Sequence, residues 1–305
     1  MTAPLSPLRI LFCGLPMGAL ALRHDGHDIV LAAISRSDAS GLRRLTRVLG
    51  PERVLVKPDL SAHAERVKAL APDLVVSWFW TKRIPTAILR AAKVDAFNVH
   101  PSLLPRHRGA DPIFWTIDSG DATTGATAHR LEDRYDTGTI FAQREIAVDP
   151  TWNAWTLALK LDRVTLALLR ETVARFARGE APEARAQDEA LATHAPSPSE
   201  DDLVIQWKTD DAERIARRIR AAAPWPGMLT EIGDRALLVT RAEPTDDVPR
   251  ALQTAEAALV HGCVVVRARD RGLRLISARD AETDAELSPG ELAGLITSVP
   301  SGPVR

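Results

Sequence analysis

Three apolar runs constrain the fold before any motif is considered. Leu8-Arg9-Ile10-Leu11-Phe12, Ile29-Val30-Leu31-Ala32-Ala33-Ile34 and Leu74-Val75-Val76-Ser77-Trp78-Phe79-Trp80 are almost unbroken by polar residues. A strand with one solvated face alternates apolar and polar side chains. One covered on both faces is apolar throughout, as in a parallel sheet flanked by helices. The first two runs are joined by a turn, Gly14-Leu15-Pro16-Met17-Gly18-Ala19, and by a helix predicted to reach about Arg23, with Gly26 as its stop. Strand, turn, helix and strand make the first βαβ unit of a parallel sheet. Gly14 and Gly18 are separated by three residues, which does not match the Gly-x-Gly-x-x-Gly dinucleotide fingerprint and argues against NAD.

The rest of the chain extends this pattern. After Ser40-Gly41 a helix carries Arg43, Arg44 and Arg47, a face most simply read as solvated, and a short strand follows near Arg53 to Val56. A helix is predicted over 62–71, another over 112–119, strands over 127–131 and 141–148, and a long helix over 156–178. The last has apolar residues at 157, 161, 164, 168, 169 and 173, close to a 3.6 period. Residues 179–202 change character, with Ala-Pro and Ser-Pro-Ser runs, and read as a linker. Beyond it come a helix over 211–222, the sequence Pro224-Trp225-Pro226-Gly227, and short strands near 229–232, 236–242, 263–268 and 273–278. Short strands with glycine turns suggest a small barrel. The predicted organisation is a catalytic domain over 1–180, a linker over 181–202 and a second domain over 203–305.

The chemistry-bearing stretch is Phe97-Asn98-Val99-His100-Pro101-Ser102-Leu103-Leu104-Pro105-Arg106-His107-Arg108-Gly109. Pro101 cannot donate to a ladder, so the strand should end where two polar side chains sit. Residues two apart on a strand share a face, so Asn98 and His100 point one way while Val99 packs behind them. An amide donor beside an imidazole suits acyl transfer: the amide can bond a developing oxyanion, and the imidazole titrates near neutrality. Asp136, in the turn Tyr135-Asp136-Thr137-Gly138, can supply the missing carboxylate, although only folding can bridge the 36 residues between them. Against this stands a plainer reading. Asn-x-His at a strand end is commonly a capped turn, and Asp-Thr-Gly a common turn tripeptide. His129 is a further candidate base, but a histidine pointing outward from a strand is the commoner arrangement.

The whole string decides between them. Asn-x-His-x-Ser-Leu-Leu-Pro-x-x-Arg-Gly, then Asp111-Pro112, Thr124-Gly125 and Asp136-Thr137-Gly138, resembles the 10-formyltetrahydrofolate-dependent formyltransferases. The tRNA and sugar-nucleotide branches of that family also carry an OB-like tail, which the Ile-x-Trp at 205–207 and Pro-Trp-Pro-Gly at 224–227 resemble. The resemblance implies a Rossmann-like parallel-sheet α/β formyltransferase domain followed by a smaller β-rich OB-like C-terminal domain. It implies Asn98, His100 and Asp136 as catalytic residues, with Asn98 and protonated His100 on the oxyanion and Asp136 tuning His100. It also assigns the folate to Lys82, Arg83, Ile84, Ser102, Leu103, Leu104, Glu132, Asp133, Arg134, Tyr135 and Asp136, with Arg108-Gly109 on the opposite wall. Trp78 and Trp80 are read either as part of that pocket or as core aromatics.

Composition narrows the acceptor. With 39 basic and 40 acidic residues the net charge is −1, so no global field draws in a polyanion. The stretch from Ser35 to Leu42 looks too short for the basic insertion by which the tRNA branch contacts its substrate. A small or carrier-bound primary amine, such as an amino-sugar nucleotide or amino acid, is therefore the expected acceptor, with methionyl-tRNA the alternative. A hydrolase of the same folate and a non-catalytic folate-binding module complete the options. The distant Cys13 and Cys263 offer neither a disulfide framework nor a metal motif, and no metal is expected. No apolar run approaches bilayer length, and the expected location is cytoplasmic. Oligomeric state is not legible.

Overall fold

The structure is a computed structural model that describes residues 6–180 and 182–297. The chain forms two compact units. The first takes residues up to Pro112 together with Thr123–Ala147 and Lys160–Pro196, and the second takes Ile113–Ala122, Val148–Leu159 and the chain from Ser197 on.

Strands and helices alternate from the start: β1 (Arg9–Gly14), α1 (Pro16–His24), β2 (Asp28–Ile34), α2 (Leu42–Leu49), β3 (Val54–Val56), α3 (Ala64–Leu70), β4 (Leu74–Trp78), α4 (Thr86–Leu89) and β5 (Asp95–His100). After α5 (Pro112–Asp118), β6 (Thr123–Arg130) and β7 (Ile140–Ala147) complete a seven-stranded sheet in the order β3-β2-β1-β4-β5-β6-β7. The strands from β3 to β5 pair in parallel, while β6 runs antiparallel to β5 and β7 to β6. The apolar runs are thus inner parallel strands, as the α/β reading requires. Along β1 the side chains divide with period two. Ile10 and Phe12 join a core with Leu22 of α1, Leu45 of α2 and Leu169 and Val173 of α6 (Ala154–Ala177). Leu11 and Cys13 join the opposite core with Val67 of α3 and Ile88 of α4. Burial pushes the Cys13 thiol up to about 12, so it packs as a small hydrophobe and is not a nucleophile.

The second unit is β-rich. Following α7 (Ala212–Ala222), β8 (Met228–Ile232), β9 (Arg235–Thr245), β10 (Ala257–Val260), β11 (Cys263–Arg267) and β12 (Gly272–Asp280) form an antiparallel sheet in the order β10-β11-β12-β9-β8, with β13 (Glu286–Leu287) on β12 and α8 (Pro289–Thr297) after it. Asp211 caps α7 by accepting from the Arg214 N–H at 2.8 Å. The indole of Trp207 donates to Thr230 Oγ1 at 2.8 Å inside the unit, and Arg218 of α7 pairs bidentately with Asp118 at 3.0 and 3.1 Å. The short elements α4, β10 and α8 have too few residues to announce themselves by periodicity. β6 begins at Thr123, four residues earlier than the sequence pattern predicts, because pairing with β7 overrides the weak strand preference of Gly125. Among the described residues no helix is long and apolar enough to cross a membrane.

Candidate active site

β5 ends at His100, against Pro101. Phe97 and Val99 belong to the core shared with α6, while Ala96 belongs to the opposite one, so Asn98 and His100 share the face of Ala96. The antiparallel register then sets Asn98 opposite His129 and His100 opposite Thr127. Within β6, Ala126 and Ala128 turn into the α6 core, leaving Thr127 and His129 on the face of the two polar β5 residues. His129 does not point outward to solvent, as strand statistics suggest; it is 1% exposed.

Four side chains converge on this face. The Asp136 carboxylate lies 3.6 Å from His100 Nδ1 through Oδ2 and 3.3 Å from His129 Nε2 through Oδ1. Its Oδ2 also accepts the Gly109 N–H at 3.0 Å. Asn98 Nδ2 lies 3.2 Å from His129 Nε2. Both imidazoles are fixed from behind by main-chain carbonyls: His100 Nε2 donates to His107 O at 2.8 Å, and His129 Nδ1 to Arg130 O at 2.9 Å. These partners assign the tautomers. Neutral His100 carries its proton on Nε2 and a lone pair on Nδ1. Neutral His129 carries its proton on Nδ1, so its Nε2 accepts from the Asn98 amide, which spends one of its two N–H groups there and keeps the other.

The charge states follow from the same contacts. Burial raises the Asp136 carboxyl, but the charge His100 carries when protonated, together with the Gly109 N–H, outweighs it and holds the group well below the usual carboxylate range. Burial lowers the His100 imidazole below its ordinary value of 6.5, and Asp136 opposes this without cancelling it. Resting His100 is therefore neutral at pH 7.

One cavity faces the cluster. Asn98, His129 and Asp136 line it, together with Lys82, Arg83, Ile84, Glu132, Asp133, Arg134 and Tyr135 from the predicted set and Ser77, Trp80, Leu89 and Leu131 beside them. His100 does not line it. Trp80 Nε1 is buried in this wall with no partner among the described residues. A broader cleft of about 560 Å³ shares Leu89, Leu131 and residues 132–134 with it but carries none of the four converging side chains. Asp133 lines both and is held by Arg83 at 3.2 Å and Thr86 at 2.5 Å. Ser102, Leu103 and Leu104 stand apart from both cavities and shape the loop after β5. Ser102 Oγ donates to Arg106 O at 2.7 Å, and the Leu104 N–H to Thr127 Oγ1 at 3.0 Å. Residues 182–196 belong to the first unit, pairing at Arg185 with Ile140 and at His194 with Arg108. Sequence reasoning found no role for Gln187, although its amide reaches the Asp136 turn. Alternation of Thr127 and His129 with Ala126 and Ala128 is the signal that points to His129; Gln187 has none. Among the described residues no group of three or more His, Cys, Asp or Glu is placed to hold a metal ion.

An amide donor and an imidazole at the end of a parallel-sheet strand, backed by a buried carboxylate, define an enzyme of the acyl-transfer class built on a Rossmann-like sheet. Family comparison names the acyl group. The formyl transferase model matches residues 19–173 and the formyl transferase C-terminal domain model residues 199–293. The chain belongs to the formyl transferase family, and it is a formyl-transferring enzyme. It is 30% identical over 310 residues to the methionyl-tRNA formyltransferase of Citrifermentans bemidjiense, covering 94% of this chain and 96% of that one. Two solved structures share its fold. The N-formyltransferase of Helicobacter canadensis, solved with folinic acid and dTDP-3-aminofucose, is 14% identical with a TM-score of 0.68, over 88% of this chain and 98% of that one. HypX of Aquifex aeolicus, solved with tetrahydrofolic acid, is 19% identical with a TM-score of 0.66, over 95% of this chain; the chain spans about half the length of HypX, 47%.

Proposed function

We propose that the protein moves a formyl group from 10-formyltetrahydrofolate to the primary amine of a small or carrier-bound acceptor. The observation that carries the chemistry is the buried cluster of Asn98, His100, His129 and Asp136. The donor binds in the cavity lined by Asn98, His129 and Asp136, whose apolar lining of Trp80, Ile84, Leu89 and Leu131 suits a heteroaromatic ring. The N–H that Asn98 does not spend on His129 stabilises the oxyanion formed when the amine attacks the formyl carbon. The amine proton passes to the slot between His100 Nδ1 and Asp136 Oδ2, and is returned to N10 of the folate as the tetrahedral intermediate collapses, breaking the formyl C–N10 bond and releasing tetrahydrofolate and the formylated amine. The imidazolium formed there is the protonated His100 of the family pattern, arising during the reaction rather than in the resting enzyme. His129 holds the Asn98 amide in the orientation the oxyanion needs, so it is a positioning residue.

A small acceptor is favoured by the connection from β2 to α2. Only residues 35–41 lie between Ile34 and Leu42, and the Arg36 guanidinium is engaged by Asp38 at 3.1 and 2.7 Å, leaving no basic insertion there to grip a polyanion. Methionyl-tRNA is the second reading, favoured by the similarity to methionyl-tRNA formyltransferases along nearly the whole chain. The test is tetrahydrofolate release from 10-formyltetrahydrofolate by the purified protein, alone and with separate pools of nucleotide sugars, amino acids and charged tRNA. Turnover with a small-amine pool supports the first reading. Turnover only with charged tRNA, weakening steeply with salt, supports the second. Acceptor-independent release makes the protein a hydrolase.

A further inference from the structure

The stretch from Arg185 to Ala195 crosses both supports of His100. On one side it is laced to the loop after β5. The Thr193 N–H donates to Pro105 O at 3.2 Å, the Arg108 N–H to Thr193 O at 2.9 Å, the Ala195 N–H to Arg108 O at 2.7 Å, and the His107 N–H to Thr193 Oγ1 at 2.8 Å. The His107 carbonyl that fixes His100 Nε2 sits inside this lacing. Gly109, at φ +125°, lies so close to the strap that a Cβ there would stand 2.7 Å from Ala195 O.

On the other side the strap reaches the Asp136 turn through one side chain. Gln187 Nε2 donates to Asp136 O and to Gly138 O, both at 2.8 Å. Its Oε1 accepts from Arg108 Nε at 2.9 Å and Nη2 at 2.8 Å. Arg108, 4% exposed, is held in turn by Glu189 at 2.9 and 2.7 Å. Both amide hydrogens and both lone pairs of Gln187 are used, which fixes the amide one way round. The turn it grips is costly to hold, because Asp136 has φ +53°, a left-handed conformation that a non-glycine residue keeps only when its surroundings enforce it.

We propose that residues 185–195 form a catalytic strap in which Gln187 is the positioning residue that aims the Asp136 carboxylate at His100; this rests on the formyl-transfer reading above. The groups facing His100 are Asp136 from its turn, His129 from β6, and the His107 carbonyl and imidazole from the loop.

The experiment compares full-length Gln187→Met, Gln187→Glu and Val48→Ser, the last altering an exposed residue of α2 outside the strap. Gln187→Glu keeps the acceptor for Arg108, so it retains the strap's seat even if Gln187→Met does not fold. Both Gln187 variants should lose about 10- to 100-fold in kcat, the scale of an ångström of misplacement, with donor KM little changed and Val48→Ser at wild-type activity. A second readout needs no turnover: the His100 imidazole, followed by ¹⁵N NMR against pH, should titrate lower in Gln187→Met, which adds no charge, in the direction of Asp136→Asn but less far. Wild-type kcat in both Gln187 variants, or a His100 titration that Asp136→Asn moves and Gln187→Met does not, overturns the strap. If the wild type turns over with no amine pool while the titration still shifts, the formyl-transfer reading fails and the positioning geometry stands.

Discussion

Asp136 in the first unit and Asp280 in the second are both shielded carboxylates held well below the usual range, yet they do opposite work. Asp280, at the end of β12, is saturated by Arg235, by the Thr283 N–H and hydroxyl at 2.9 Å, and by the Glu282 N–H at 3.1 Å. Every partner has a fixed protonation state, so the group closes a turn and exchanges nothing. Asp136 has a single main-chain donor and two imidazoles at 3.3 and 3.6 Å, a ring type that can take up or give a proton, unlike a guanidinium or a peptide N–H. A depressed carboxyl therefore does not mark function by itself; the chemistry of its neighbours does.

The sharpest break of that comparison is substitution of the first cluster. Asn98→Ala, His100→Ala and Asp136→Asn should each cost on the order of 100- to 1000-fold in kcat with circular dichroism unchanged. Asp280→Asn should lower the melting temperature and leave kcat where it was. Equal losses of turnover at Asp136 and Asp280 would erase the distinction. A smaller effect is expected at His129. His129→Ala should lower kcat about 10- to 100-fold by letting the Asn98 amide turn, with donor KM nearly constant; a change confined to KM would make His129 a ligand contact instead.

Stability against pH sharpens the same contrast. His100 is lowered in the folded state, so below about pH 6.5 the unfolded chain binds a proton that the folded chain refuses, and stability falls from there downward. Asp136 and Asp280 are also lowered, so each contributes stability that is complete above the ordinary value of 3.8 and is lost as pH falls through its folded value. Thermal melts of the wild type between about pH 1.5 and 7 should show both phases. Asp280→Asn should flatten only the lower one, and Asp136→Asn should flatten the lower and deepen the upper, because His100 then loses its anion. The smallest effect is at the edge of the second unit, where Trp225 is 63% exposed beneath Arg279, whose guanidinium lies 4.1 Å from the ring. Trp225→Leu should cost no more than about 1 kcal/mol in chemical denaturation.

Much of the first unit was legible in one dimension because its signals are local. The unbroken apolar runs of β1, β2 and β4 announce strands covered on both faces, and Pro101 announces the end of β5. Asn98 and His100 fall on one face by strand periodicity alone. What the sequence by itself determined is therefore the set of elements, the polar pair at a strand end and, through the length of its motif, the family. Only the tertiary structure decided that β6 runs antiparallel to β5 in the register that buries His129 beside Asn98, since pairing register depends on strands 31 residues apart meeting in space. It also decided that the Pro- and Ala-rich stretch after α6 carries Gln187 to the Asp136 turn. A hydrogen bond between a glutamine and a carbonyl 51 residues away leaves no periodic trace, because its energy is realised only when the fold has brought both ends together.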